Sequence, residues 1–158
     1  MIVAGIDSGL SGALAVIEES GYCETCDMPV TEYGKKTFVD SSAVWRWLDE
    51  RGVEFAVIEH AQAMPKQGVT GVFTYGQAFG QVLSVVQLLG PHMLVKPQLW
   101  KRQMGLIKAG KTASRDLASK KFPLAAWQFQ RVKDHGRAEA ALIAHWFLHH
   151  RSPRRPKH

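Results

Sequence analysis

Two short apolar segments, residues 2–6 and 55–58, each run straight into a carboxylate, Asp7 and Glu59. At a third place an acidic pair, Asp134 and Glu139, opens the last helical stretch. An ionised carboxylate at the end of a buried strand costs several kcal/mol unless a cation or hydrogen bonds compensate it. If the two strands are parallel neighbours, Asp7 and Glu59 lie together at the carboxyl edge of a sheet, where α/β folds hold their ligands.

The rest of the chain fits such a sheet. Residues 2–6 and 12–18 predict two strands joined by a tight glycine-containing turn, and residues 23–30 a third, before a polar break at 31–36. These three form an antiparallel meander. Asp40, Ser41 and Ser42 cap a helix whose apolar residues are Val44, Trp45, Trp47 and Leu48. The nearly all-apolar run 55–58 reads as a buried parallel strand. A long helix over about 73–89 carries Phe79, Val82, Leu83, Val86 and Leu89 at helical spacing. Gly76 and Gly80 give that helix a smooth face suited to another subunit. A short strand at 92–95 follows, then a surface element from Pro97 to Trp100, a basic turn running into a helix at Lys111, and a last helix over about 137–149. The order predicts an α/β fold, a mixed sheet with helices on its faces, in one domain over residues 1–150. The basic, proline-rich stretch 151–158 is expected to be a disordered tail.

Hydrophobic residues at 46% against 22% charged indicate a globular chain, and no apolar run approaches the ~20 residues that cross a bilayer. The opening residues lack a basic flank and meet Asp7 before a signal-length apolar run develops, so a cytoplasmic protein with no membrane partner is expected. Cys23 and Cys26 form a lone Cys-x-x-Cys without the second ligand pair of a structural zinc site, and are expected reduced. A formal net charge of +6 favours a polyanionic partner.

The last helix brings Glu139 toward the edge that carries Asp7 and Glu59, with His135 one turn earlier on the same face and Asp134 just beyond the helix start. Converging carboxylates repel one another, and divalent cations with a taste for oxygen, magnesium or manganese, remove that penalty. Two such ions about 4 Å apart activate a water, orient a phosphate and stabilise a leaving 3′ oxygen. The plainer reading has Asp7 capping its turn, Glu59 in solvent and Asp134 capping the helix. Arg102, Lys108, Lys111 and Arg115 suit phosphate contacts beside the carboxylates, with ordinary solvated surface as the alternative for each. Phe73, Tyr75 and Gln77 are placed to wedge between bases, or else belong to core or interface. The glycine-rich turn after Asp7 lacks the Gly-Lys-Ser/Thr end of a P-loop and the spacing of a dinucleotide fingerprint. A sugar-kinase-like nucleotide site needs two domains around a cleft, which 158 residues do not supply.

On these residues the chain resembles the RuvC family of Holliday junction resolvases, of the ribonuclease H-like superfamily, in particular its compact phage and prophage branch. Gly5-Ile6-Asp7-Ser8-Gly9-Leu10 resembles the first-strand motif and Val57-Ile58-Glu59 the segment bearing the essential glutamate. Thr74 to Gly80 resembles the entry to the dimerisation helix, Val95-Lys96-Pro97 and Gly110-Lys111-Thr112 the basic region, and Arg137 to Ala144 the acidic terminal helix. Ser8 stands where the family usually has proline, and Glu139 where it usually has aspartate. The resemblance implies a ribonuclease H-like mixed five-stranded sheet of order 3-2-1-4-5 with helices on both faces. It further implies a homodimeric hydrolase of DNA recombination and repair: a crossover junction endodeoxyribonuclease nicking four-way DNA junctions symmetrically and leaving 5′ phosphates and 3′ hydroxyls. Asp7, Glu59, Glu139 and His135 are then the metal ligands for Mg2+ or Mn2+, two ions per site, and Asp134 competes with His135 as the extra ligand. A ribonuclease H-like nuclease on RNA/DNA hybrids or other branched DNA, and a catalytically silent junction-binding protein, are the alternatives.

Overall fold

The computed structural model describes residues 1–60 and 62–150, so the expected tail at 151–158 lies outside the described residues. Five strands form the main sheet: β1 (Ile2–Asp7), β2 (Ala13–Glu18), β3 (Cys23–Asp27), β6 (Phe55–Glu59) and β7 (His92–Val95). They lie in the order β3-β2-β1-β6-β7, which is third, second, first, fourth, fifth along the chain. β1, β2 and β3 are antiparallel neighbours, whereas β6 runs parallel to both β1 and β7. A separate hairpin, β4 (Val30–Tyr33) with β5 (Lys36–Val39), occupies the place read as a polar break. Its tip residue Gly34 takes φ +63, a conformation that glycine adopts without strain.

The period of two along each strand divides the core into two halves. Ala4, Ile6, Leu14, Val16, Ala56 and Ile58 point to one face, where they meet α1 (Ser41–Asp49) and α2 (Val69–Leu89). Val3, Ala15, Ile17, Val57 and Val95 point to the other, under α5 (His135–His150), with α3 (Pro97–Gln103) and α4 (Gly110–Lys121) joining the same cluster. Asp40 caps α1 as expected, its Oδ1 accepting from the Ala43 amide at 3.0 Å and the Ser42 hydroxyl at 2.8 Å. Trp45, however, is 40% exposed and only its neighbour Trp47 packs against the core. α2 starts a turn earlier than its apolar pattern indicated, and Trp100 is fully buried rather than part of a surface element.

One face of α2 has no neighbour among the described residues. Ala78, Val82, Val85 and Val86 pack on the sheet, while Phe73, Gly76, Gln77, Gly80, Ser84 and Leu88 are exposed at three- and four-residue spacing. A Cβ added at Gly76 or Gly80 would meet nothing within 4 Å. No helix among the described residues is long and apolar enough to cross a membrane.

Candidate active site

The alternation that builds the core also aims the acidic side chains. Val3, Gly5 and Asp7 share one face of β1, and Val57 and Glu59 share the same face of β6, the face covered by α5. The parallel register sets Ile6 opposite Ile58, so Asp7 and Glu59 are the next residues on adjacent strands. α5 approaches β1 over Gly5, where a Cβ would fall 2.0 Å from the Ala140 carbonyl oxygen and 2.7 Å from the Ala144 amide nitrogen. That close approach brings Glu139 and His135 above the two strand ends.

Glu139 is 5% exposed, and its Oε1 gathers three partners: Lys101 Nζ at 2.9 Å, His135 Nε2 at 3.1 Å and the Ser114 hydroxyl at 3.4 Å. Glu59 is 8% exposed and its Oε2 accepts from the buried indole Nε1 of Trp100 at 2.7 Å. Ser8 is fully buried, and its hydroxyl lies 3.4 Å from the Glu59 carbonyl oxygen. Among the described residues, no side-chain hydrogen bond reaches the Asp7 carboxylate. Burial pushes its pKa up to about 7, and the charges of Glu139 and Glu59 add to the rise. Burial also raises Glu59, with Trp100 pulling the other way. For Glu139 burial is outweighed by the His135 hydrogen bond and the Lys101 ammonium, which hold its carboxyl below the usual range. Burial opposes the charge on Lys101, yet Glu139 and the other two carboxylates together raise its pKa. The cluster is three carboxylates, one imidazole and one ammonium, electrostatically one unit.

Asp134 does not join it. Its carboxylate is 1% exposed and turned to Arg131, accepting from the backbone amide at 2.9 Å and from Nη2 at 2.9 Å, while the Asp134 amide donates to the Arg131 carbonyl at 2.9 Å. Burial works against ionisation there, and the Arg131 bonds overcome it and lower the pKa.

A cleft of about 320 Å³ opens beside the cluster, lined by Lys101, Lys108, Lys111, Ser114, His135 and Glu139 among others. Lys108 takes φ +58 in the loop before α4, a region that side-chain-bearing residues seldom adopt. Arg115 sits one helical turn beyond Lys111 and donates from Nη1 to the Gln130 carbonyl at 2.7 Å. Arg102 is exposed on α3 and does not line the cleft. Tyr75 packs its ring over Gly9, and burial together with Asp7 and Glu59 raises its phenol pKa, so it borders the acidic cluster. Phe73 is 69% exposed on the outer side of α2.

Trp100 and Lys101 escaped the reading from sequence. The signal was available in the topology: Val95 at the end of β7 pairs with Glu59, so a helix begun by Pro97 must start at the same edge.

Hard oxygen donors from Asp7, Glu59 and Glu139, in surroundings that penalise their shared charge, suit a magnesium-like cation. Among the described residues, no group of three or more His, Cys, Asp or Glu side chains is drawn close enough to hold a metal ion in this arrangement. The ammonium of Lys101 brings positive charge to the cluster, 2.9 Å from Glu139.

Solved structures that share the fold include two of Thermus thermophilus RuvC. Thermus thermophilus RuvC in complex with Holliday junction substrate is 20% identical with a TM-score of 0.64, the match covering 94% of this chain and 94% of that one. Thermus thermophilus RuvC in a second structure is 19% identical with a TM-score of 0.62, over 94% and 95% of the two chains. The chain therefore has the ribonuclease H-like α/β fold of RuvC. No family model and no curated protein sequence matches it.

Proposed function

We propose that this chain is a metal-dependent, structure-selective endodeoxyribonuclease that resolves four-way DNA junctions by paired symmetric nicks, leaving 5′ phosphates and 3′ hydroxyls. The fold shared with RuvC supports nuclease chemistry in general. The observation that carries the narrower reading is the convergence of Asp7, Glu59 and Glu139 beside a lysine-lined cleft. Buried acids next to a cationic groove suit a polyanion whose backbone is to be cut.

In this reading Asp7, Glu59, Glu139 and His135 hold Mg2+, or Mn2+ in its place, as a pair of ions. His135 is preferred over Asp134 because the Asp134 carboxylate is already committed to Arg131. A cation held by these residues would supply Lewis-acid activation of a water and charge stabilisation at the leaving oxygen. The protein's own groups do the rest. Trp100 orients Glu59, and Lys101 balances the charge on Glu139 until the substrate and cation arrive. Lys108 and Lys111 hold a phosphate in the cleft, with Arg115 and Arg102 on the strand to either side. Tyr75 and Phe73 face the junction from the start of α2. The exposed face of α2 around Gly76 and Gly80 pairs with a second copy, which gives two sites related by a twofold axis, as symmetric nicking needs.

The deciding experiment is strand-resolved cleavage of a labelled four-way junction beside matched duplex, flap and RNA/DNA hybrid, with Mg2+ or Mn2+ and with Asp7→Asn. Paired nicks on the junction alone, lost in the variant, support the proposal. Cleavage of hybrid or flap with the junction intact moves the activity to another branched or hybrid substrate. The Lys101–Glu139 ion pair favours one further reading, a silent junction-binding protein whose acidic site is filled by its own cation. Tight junction binding without any cleavage would select it.

A further inference from the structure

The segment after α4 holds apolar side chains in water by construction. Pro123–Phe129 is a 3-10 helix, and three residues per turn put every third side chain on one face. Phe122, Ala125 and Gln128 form the inward row and are buried, whereas Leu124 is 94% and Trp127 69% exposed on the outward row. Gln128 pins that orientation. Its Oε1 accepts from the Thr25 amide at 2.8 Å and the Thr25 hydroxyl at 2.7 Å, and its Nε2 donates to the Cys23 carbonyl at 3.0 Å. Rotating the segment to bury Trp127 would break all three bonds of a side chain only 4% exposed. The indole is thus displayed on a rigid support.

The charges around it have one dominant sign. Lys120 and Lys121 are exposed at the end of α4, and Arg131 and Lys133 are exposed just after the segment, beside Val132 at 78% exposure. Of the acids nearby, Asp134 pairs with Arg131 and offsets its charge, Glu24 and Asp27 on β3 pair with Arg51 and Arg137, and Asp116 is exposed on α4, so the excess positive charge is that of Lys120, Lys121 and Lys133. The patch is also continuous with the cleft: Lys111 lines the cleft, and Arg115, one turn on along α4, reaches the Gln130 carbonyl at 2.7 Å. A row of cations leads from the carboxylates to the displayed tryptophan.

We infer that the Leu124–Trp127 face is a second DNA-binding surface, which grips a strand outside the cleft by stacking Trp127 on a base or sugar while Lys133 and Arg115 meet the flanking phosphates. A flat apolar ring ringed by cations is how single strands and distorted junction ends are held without sequence preference. The inference rests on the nuclease reading for the identity of the substrate, and the test separates the two.

Binding of a fluorescently labelled four-way junction is measured by anisotropy in EDTA, in the Asp7→Asn background, across a salt series. Trp127→Ala should weaken binding about 5- to 150-fold, and Trp127→Phe should restore most of it. Lys133→Ala should weaken it less and lower the salt slope by about one. Trp127 is exposed, so unchanged circular dichroism and melting are expected of each variant. If the Asp7→Asn parent binds no DNA, the proposed function fails with it. If the parent binds and Trp127→Ala binds within twofold of it, this inference alone is overturned. Conversion of a dimer to a monomer by Trp127→Ala, at unchanged DNA affinity per chain, overturns it in favour of an interface between copies.

Discussion

The indole Nε1 of Trp100 donates to Oε2 of Glu59 at 2.7 Å, and the tryptophan that makes this bond is fully buried. The bond fixes one oxygen of a carboxylate that sits at the end of a central strand and leaves Oε1 to the cluster. It also counters burial, which on its own drives Glu59 toward the protonated form.

Trp100→Phe keeps most of the buried shape and removes the N–H. Losing a hydrogen bond to a charged group costs about 1.5–3 kcal/mol, and Glu59 becomes harder to ionise. Metal-free Trp100→Phe should therefore melt lower than wild type, and its Mn2+ affinity, read from the free-ion signal in electron paramagnetic resonance, should fall about tenfold for each 1.4 kcal/mol lost. Equal Mn2+ titrations for the two proteins would show that the bond is packing without consequence for the site.

Asp7 yields a pH dependence of stability with a definite sign. Its folded pKa of about 7 lies above the ordinary 3.8, so the folded state holds a proton that the unfolded chain has released. Stability present below about pH 4 is therefore lost as the pH rises to about 7, by at most roughly 4 kcal/mol for the three-unit rise. Asp7→Asn cannot ionise and escapes this loss. In thermal melts without metal, the variant should gain on wild type as pH rises through that window, and addition of Mg2+ should close the gap by stabilising wild type alone. Parallel melting curves across the window would mean that Asp7 is solvated rather than buried among like charges.

Much of this arrangement is legible in the sequence. The carboxylates after residues 2–6 and 55–58 announced themselves because an apolar strand ending on an acid is anomalous, and the strand period then fixed which face they share. The sheet order was likewise implied by the motif resemblance. The hairpin of β4 and β5 was hidden because Thr31 to Lys36 carries no alternation of apolar residues, and it is joined by backbone pairing with an edge-to-face contact of Tyr33 on Phe38. Trp100 and Lys101 were hidden for another reason: their place at the acidic edge depends on β7 lying beside β6, a long-range pairing that a local pattern does not encode. Asp134 looked equivalent to His135 in sequence. In the fold the Asp134 carboxylate is paired with Arg131, three residues before it, whereas His135 lies against Glu139.

That pairing separates the roles of two neighbouring residues. Asp134→Ala removes the acceptor for the Arg131 amide and guanidinium and should lower stability by about 1–2 kcal/mol, the usual scale for losing a cap, discounted because Arg131 itself is half exposed. It should leave the rise in melting temperature on adding Mn2+ unchanged. His135→Ala, by contrast, removes a partner of Glu139 at 3.1 Å and should reduce that Mn2+-induced rise. The reverse pattern in the two melting series would return Asp134 to the metal site.

Two glycines test the inner and outer surfaces of the fold by opposite outcomes. Gly5 is where β1 and α5 touch, and a Cβ there would fall 2.0 Å from a backbone oxygen of Ala140, which cannot give way as a flexible side chain would. Gly5→Ala must push α5 off the sheet, carrying Glu139 away from Asp7 and Glu59, so a loss of 3 kcal/mol or more is expected, at the upper end of overpacking. Gly80 on α2 meets nothing within 4 Å of an added Cβ. In an isolated chain Gly80→Ala should raise stability by about 1 kcal/mol through helix propensity alone. If the exposed face of α2 joins two copies, Gly80→Leu should shift the sedimentation profile from dimer to monomer while the monomer stays folded. A Gly80→Leu protein that sediments as wild type does would remove α2 from the dimer contact and leave its open face without that role.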